Sequence, residues 1–187
     1  MLNLSEDRRG LSEVVSTLIL LVVAVLLAAV VTYYATNITM VRTETEAVQV
    51  SKPHIWVNST GSVAAMKLQN LGGKDILVDK IVIRGVDCDW VDVKYYLVPI
   101  GVDVTGDFNL TYSGTEFRVD IGGVPAVLDW DTGTDDIPMR SGGTMLFFIS
   151  DPANVTLDDI GTSISLTIFT SNAQWIIETN VISLKVA

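Results

Sequence analysis

Residues 18–31, LILLVVAVLLAAVV, form fourteen consecutive positions without a polar side chain. Extended back to Val14 and forward to Ala35, the run is interrupted only by Ser16, Thr17 and Thr32. A helix of about 20 such residues matches the hydrocarbon thickness of a bilayer. Neither Gly nor Pro occurs between Leu11 and Ser51. One unbroken helix of about 40 residues, roughly 60 Å long, is therefore predicted. Its first half is apolar all round and must be enclosed on every side by lipid or by other helices. Arg8 and Arg9 stand on the N-terminal flank, which predicts an N-terminus in the cytoplasm and everything after the run outside.

A secretory signal peptide has a shorter apolar core followed by a small-residue cleavage site. Here the run continues into TYYATNITMVRTETEAVQV, with no Ala-x-Ala site and no breaker. The segment therefore reads as one that stays on the working protein.

The rest of the chain changes period. AAMKLQNLGG, DILVDKIVIRG, WVDVKYYLVPI, FNLTYSG, TEFRVDIGG, TMLFFIS, SISLTIFTS and AQWIIETNVISLKV are β-branched and aromatic runs separated by Gly, Asn, Asp and Ser. Such spacing predicts about eight short strands in an antiparallel sandwich or barrel. Ser171-Asn172 fits a turn between the last two strands. Pro53 disfavours helix at Lys52, so the helix is expected to give way to the head there.

The charge balance narrows function. Formal net charge is −10, and Glu6 and Asp7 offset Arg8 and Arg9, so removal of the first ten residues leaves it unchanged. An acidic chain is a poor match for nucleic acid, whose phosphates call for Lys and Arg. One cysteine, Cys88, excludes an intrachain disulfide. One histidine, His54, excludes the usual zinc clusters; beside Pro53 and Trp56 it reads as packing or surface. No phosphate loop, Gly-x-Ser-x-Gly elbow or His-Glu-x-x-His motif is present, and no enzymatic activity is expected.

Two acidic runs carry oxygen donors at alternating positions, as Ca²⁺ requires. One holds Asp87, Asp89 and Asp92; the other holds Asp129, Asp131, Asp135 and Asp136 around a Gly turn. Neither completes an EF-hand loop, and alternating acids equally describe the wet face of a strand. No cofactor is otherwise expected. Five Asn-x-Ser/Thr sequons occur, at Asn3, Asn37, Asn58, Asn109 and Asn154. Asn3 precedes the apolar run and stays inside; the other four face outward as N-glycan candidates. Asn37 lies on the predicted helix, where neighbours would cover it.

Arg8-Arg9-Gly10, then Leu-Ser-Glu-Val-Val-Ser-Thr, then a Val/Leu/Ala helix, closely resembles the class III signal of archaeal type IV pilins and archaellins. The resemblance spans about residues 7–35. The first two strand-like runs, joined at Asn70-Leu71-Gly72, are also similar to the opening strands of those families' β-sandwich heads. The resemblance implies a cut between Gly10 and Leu11 by a membrane prepilin peptidase, with Arg8 and Arg9 as the recognised charges. It implies identical subunits packed helix to helix in a filament, assembled by an ATPase and a membrane platform. Bacterial relatives place a glutamate five residues into the mature chain, whereas here Glu13 is the third. The freed amine of Leu11, on the same or a neighbouring subunit, is one partner for Glu13; headgroups or solvent are the other.

The chain is thus expected to be α+β. Residues 1–10 are a cleaved leader, 11–51 a long hydrophobic helix, and 52–187 an all-β, antiparallel, Ig-like sandwich head. The expected function is a structural subunit of an extracellular archaeal type IV pilus-like filament, serving adhesion. The precursor would sit in the cell membrane, and the filament would stand on the cell surface. The alternatives are an archaellin in a motility filament, or a single-pass anchored domain that binds a ligand outside the cell.

Overall fold

The computed structural model describes residues 4–113, 116–121, 130–152 and 154–184. The chain divides into two compact units, Met1–Thr43 and Glu44–Ala187.

The first unit is one helix, α1, Leu4–Glu44, of 41 residues. It runs through Gly10 without a break. Within it, Ser12–Val41, 30 residues, is long and apolar enough to cross a membrane, and its most apolar stretch of 18 residues has a mean hydropathy of 3.2. The hydroxyls along it bond back to the helix. Ser16 donates to the Ser12 carbonyl at 2.8 Å, Thr17 to Val14 at 2.9 Å, Thr32 to Ala28 at 2.8 Å and Thr36 to Thr32 at 3.0 Å. These side chains therefore ask little of a surrounding apolar medium.

The second unit is built of strands. β1 (Val48–Val57), β2 (Ser62–Asn70), β10 (Thr144–Ser150) and β5 (Val93–Val98) lie side by side in that order. A short strand, β8 (Asp131–Thr132), closes the row beyond β5. On the other side of β1 follow β12 (Gln174–Ser183), β11 (Ser163–Thr170) and β3 (Ile76–Ile83). β4 (Val86–Asp87) and β9 (Ile137–Met139) both pair with β3. β6 (Phe108–Ser113) and β7 (Glu116–Ile121) make a separate antiparallel hairpin.

The sheet curls, so that both of its halves line one core. Met66, Phe147 and Val93 from β2, β10 and β5 share it with Ile81, Leu166 and Ile168 from β3 and β11. The alternation of β11, with Ile164, Leu166 and Ile168 inward, follows from this one-sided burial. β2 and β10 are instead buried on both faces. Their second faces, Val63, Ala65, Leu146 and Phe148, join Trp56, Phe108 and Leu110 in another cluster under β6. Double burial explains why SVAAMKL and TMLFFIS read as nearly continuous apolar runs.

The expectation of a purely antiparallel head is corrected at one place. β1 and β12 pair in parallel, Ile55 with Val181, Trp56 with Ile182 and Val57 with Ser183, so the sheet is mixed. These strands lie at opposite ends of the head sequence, where no hairpin dictates their sense. The change from helix to strand also comes before Lys52-Pro53. α1 stops at Glu44, and Val48–Ser51 already pairs with Lys67–Asn70 of β2. Pro53 instead sits in a bulge of β1, where the register shifts between Ser51 and His54 and Lys52 takes φ +54. A bulge tolerates the missing N–H of proline.

Candidate functional site

The candidate site is α1 itself. Arg8, Arg9, Gly10 and Leu11 lie in helical backbone near its start. Gly10 is the one residue among them with a weak helical preference, about 1 kcal/mol below Ala. Glu13 stands one turn further along with its side chain exposed. Beyond it, aliphatic side chains are exposed around the whole circumference, from Val14 through Leu18–Val23 and Val25–Leu27 to Val31. Among the described residues of its own unit, none covers this surface. At its C-terminal end Tyr33 and Tyr34 form an edge-to-face pair, ring centres 6.0 Å apart. The sequence reading counted those tyrosines only as part of the apolar run.

In the second unit, the segment following α1 is tied into the strands. The Ala47 carbonyl accepts from Leu71 and Gly72 N–H at 2.7 and 3.0 Å. The Glu46 carboxylate accepts from Thr170 Oγ1 at 2.8 Å and from Asn172 Nδ2 at 2.5 Å. Gly72 is required there, since a Cβ would lie 2.8 Å from the Thr45 carbonyl and 2.9 Å from Ala47 N. Asn70, 0% exposed, holds the neighbouring loops. Its Nδ2 donates to the carbonyls of Lys74 at 2.8 Å and Arg140 at 3.2 Å, and its Oδ1 accepts from Gly72 N–H at 3.0 Å. Asn70→Ala strips buried backbone groups of these partners. It should lower the unfolding free energy of the head by about 2–4 kcal/mol, measured by denaturant titration of the full chain.

The β1 bulge performs a second clamping task. Lys52 Nζ donates to the carbonyls of Thr105, at 2.9 Å, and Gly106. His54 Nε2 donates to Asp107 Oδ1 at 2.8 Å, while its ring stacks on Trp56, centres 5.0 Å apart. His54 is thus packed, as its neighbours in sequence suggested, and it anchors the loop leading into β6. The His54 hydrogen bond holds the Asp107 carboxyl below its usual value. Asp159 is also held low, first by the Thr156 backbone N–H and then by Arg84, which donates to it at 2.7 Å. A carboxyl whose folded pKa is depressed stabilises fully above its unfolded value of about 3.9, and that stabilisation is lost as pH falls through the folded value. Head stability should therefore drop from about pH 4 downward, and Asp107→Asn together with Asp159→Asn should flatten that drop. Asp107 is 65% exposed, so solvent screening leaves Asp159 the larger share. Thermal unfolding between about pH 5 and pH 2 checks this.

The four sequons after residue 31 occupy different settings. Asn37 is exposed on α1, within the apolar span. Asn58 is 6% exposed; its Oδ1 accepts from Thr60 and Gly61 N–H, and its Nδ2 is buried with no partner among the described residues. Asn109 is exposed on β6 between buried Phe108 and Leu110. Asn154 is exposed at a left-handed turn position, φ +66. An oligosaccharide attaches through Nδ2, so a folded head offers Asn109 and Asn154 and withholds Asn58. Any N-glycan on the head should therefore be found at Asn109 or Asn154 and not at Asn58, as glycopeptide mass spectrometry would show.

The calcium candidates come from two stretches of the head. Asp129 lies outside the described residues, and Asp131 and Asp135 are exposed. Asp87, Asp89 and Asp92 rim a small cleft beside Cys88. Burial foremost, with those three carboxylates, pushes the Cys88 thiol up to about 12. Among the described residues no three His, Cys, Asp or Glu side chains converge as metal ligands. No protein-family model matches the chain, and no curated protein matches it.

Proposed function

We propose that this chain is a structural subunit of an extracellular archaeal type IV pilus-like filament, with adhesion as its task. The observation that carries the reading is α1: a 30-residue span, its most apolar 18 residues of mean hydropathy 3.2, whose aliphatic side chains are exposed on every face. Such a surface must be covered. Lipid covers it in the membrane-bound precursor, and copies of the same helix cover it in the filament. The arginine pair and Gly10 ahead of the span support removal of the leader before assembly. Arg8 and Arg9 hold the N-terminus on the cytoplasmic face, and the cut releases the helix from that hold. The freed amine of Leu11 then lies within reach of Glu13 on its own or a neighbouring chain, which would neutralise a carboxylate otherwise buried at a cost of several kcal/mol.

The head, in this reading, is a two-layer, Ig-like β-sandwich that faces outward. Its support is the core shared by the two halves of the curled sheet; the parallel β1–β12 pair would be the corner that joins the layers. Glycans on Asn109 and Asn154 would cover its surface, no metal or cofactor takes part, and the chain has no catalytic role. Assembly partners are identical subunits, a prepilin peptidase and a membrane platform. Electron microscopy of material shed from cells, with mass spectrometry of its major band, tests the reading. Filaments composed of this chain are expected; the chain found only in detergent-extracted membranes, as a monomer, would favour a permanently anchored binding domain.

A further inference from the structure

The candidate span is longer than a bilayer requires. Ser12–Val41 is 30 residues, about 45 Å of helix, against a hydrocarbon core of about 30 Å. A helix with this surplus either tilts to keep all of it in lipid or leaves one end outside. The side chains of α1 decide between these. Residues 14–31 supply 18 positions whose two hydroxyls, on Ser16 and Thr17, are satisfied by their own helix. Residues 32–41 differ: they bring Tyr33, Tyr34 and Asn37. Thr32 and Thr36 remain bonded to backbone carbonyls and tolerate lipid. The exposed Asn37 amide does not, because hydrocarbon offers it no partner. Tyr33 and Tyr34 are 65% and 62% exposed, and their edge-to-face contact spreads two phenols around the helix at one level. Rings with an apolar body and a polar tip settle where tails meet headgroups.

We propose that Tyr33 and Tyr34 dock in the outer headgroup layer of the membrane, setting the depth of the precursor so that α1 leaves the hydrocarbon at residue 32. Residues 14–31 then fill the core, Glu13 lies at its inner boundary, and Asn37 and the residues after it stand in the headgroups and water. This rests on the reading of α1 as membrane-inserted before assembly.

The experiment is a single-cysteine scan of the full chain in phosphatidylcholine vesicles, at Leu26, Val30, Thr36, Ile38 and Val41, with a membrane-impermeant maleimide. Cys88 can stay, since its thiol is half-buried, its pKa is pushed up to about 12, and it reacts slowly at neutral pH. Labelling at 26 and 30 should be at least about tenfold slower than at 38 and 41, with the step between 30 and 36. Tyr33→Ala with Tyr34→Ala should let the helix sink and move the step by about one turn, making position 36 slow; Tyr→Trp at both should restore it. A step beyond 41 overturns the proposal and leaves insertion standing. Fast labelling at every position overturns insertion as well. An unmoved step in the alanine pair, with filaments lost in cells, would assign the tyrosines to packing between subunits and overturn the proposal.

Discussion

Val22→Lys should abolish surface filaments while leaving the head folded. Val22 lies midway along residues 12–31, its side chain exposed on a helix that is apolar on every face. An ammonium at the centre of a membrane helix costs about 2.5–3.5 kcal/mol on insertion, which lowers the inserted population roughly hundredfold. The penalty returns in the filament. There each copy would bring its charge into an apolar interior next to like charges on its neighbours, with no acid between Val14 and Val31 to pair them. Val22→Ile, which keeps shape and polarity, should assemble normally. Membrane fractionation and electron microscopy report the two stages separately. Unchanged unfolding of the head would locate the defect in α1. Filaments of normal abundance from Val22→Lys cells would show that α1 is not enclosed.

Gly10→Val should have an equally large effect by another route. α1 passes through Gly10 without interruption, yet a peptidase needs an extended strand of backbone across the bond it cuts. Glycine makes local unwinding easier, by about 1 kcal/mol relative to Ala, and leaves room for an enzyme to approach the carbonyl. Valine removes both features through its branched Cβ. The uncut chain keeps Arg8 and Arg9 and remains held on the cytoplasmic face. Immunoblots should show only the longer form, confined to membranes, and no filaments. A shortened product from Gly10→Val cells would place the cut elsewhere.

How much of this was legible in the sequence depends on burial. α1 was readable because fourteen apolar residues in a row, with no Gly or Pro for forty positions, leave a helix few alternatives. Of the nine described head strands of six residues or more, all but β1 were readable, because runs of that length carry a pattern of β-branched, aromatic and turn residues. β4, β8 and β9 are two or three residues each, too short for any period. The first half of β1 was hidden differently. Val48-Gln49-Val50 follows a strong helix former run without a breaker, and only pairing with β2 makes it a strand. The parallel β1–β12 contact was out of reach too, since it joins residues more than a hundred positions apart. At the candidate site, sequence singled out Arg8, Arg9, Gly10, Leu11 and Glu13. It did not single out Asn58 as a buried sequon, because the turn that encloses its Nδ2 depends on tertiary packing. Nor did it mark Tyr33 and Tyr34, whose significance appears only when span length is set against bilayer thickness.

The account stands on a helix that exchanges lipid for copies of itself after losing its first ten residues. The N-terminal residue of the protein recovered in sheared surface filaments decides it. Edman sequencing or intact-mass measurement should find a chain beginning at Leu11, with no trace of residues 1–10. A chain beginning at Met1, sedimenting as single particles, would contradict it.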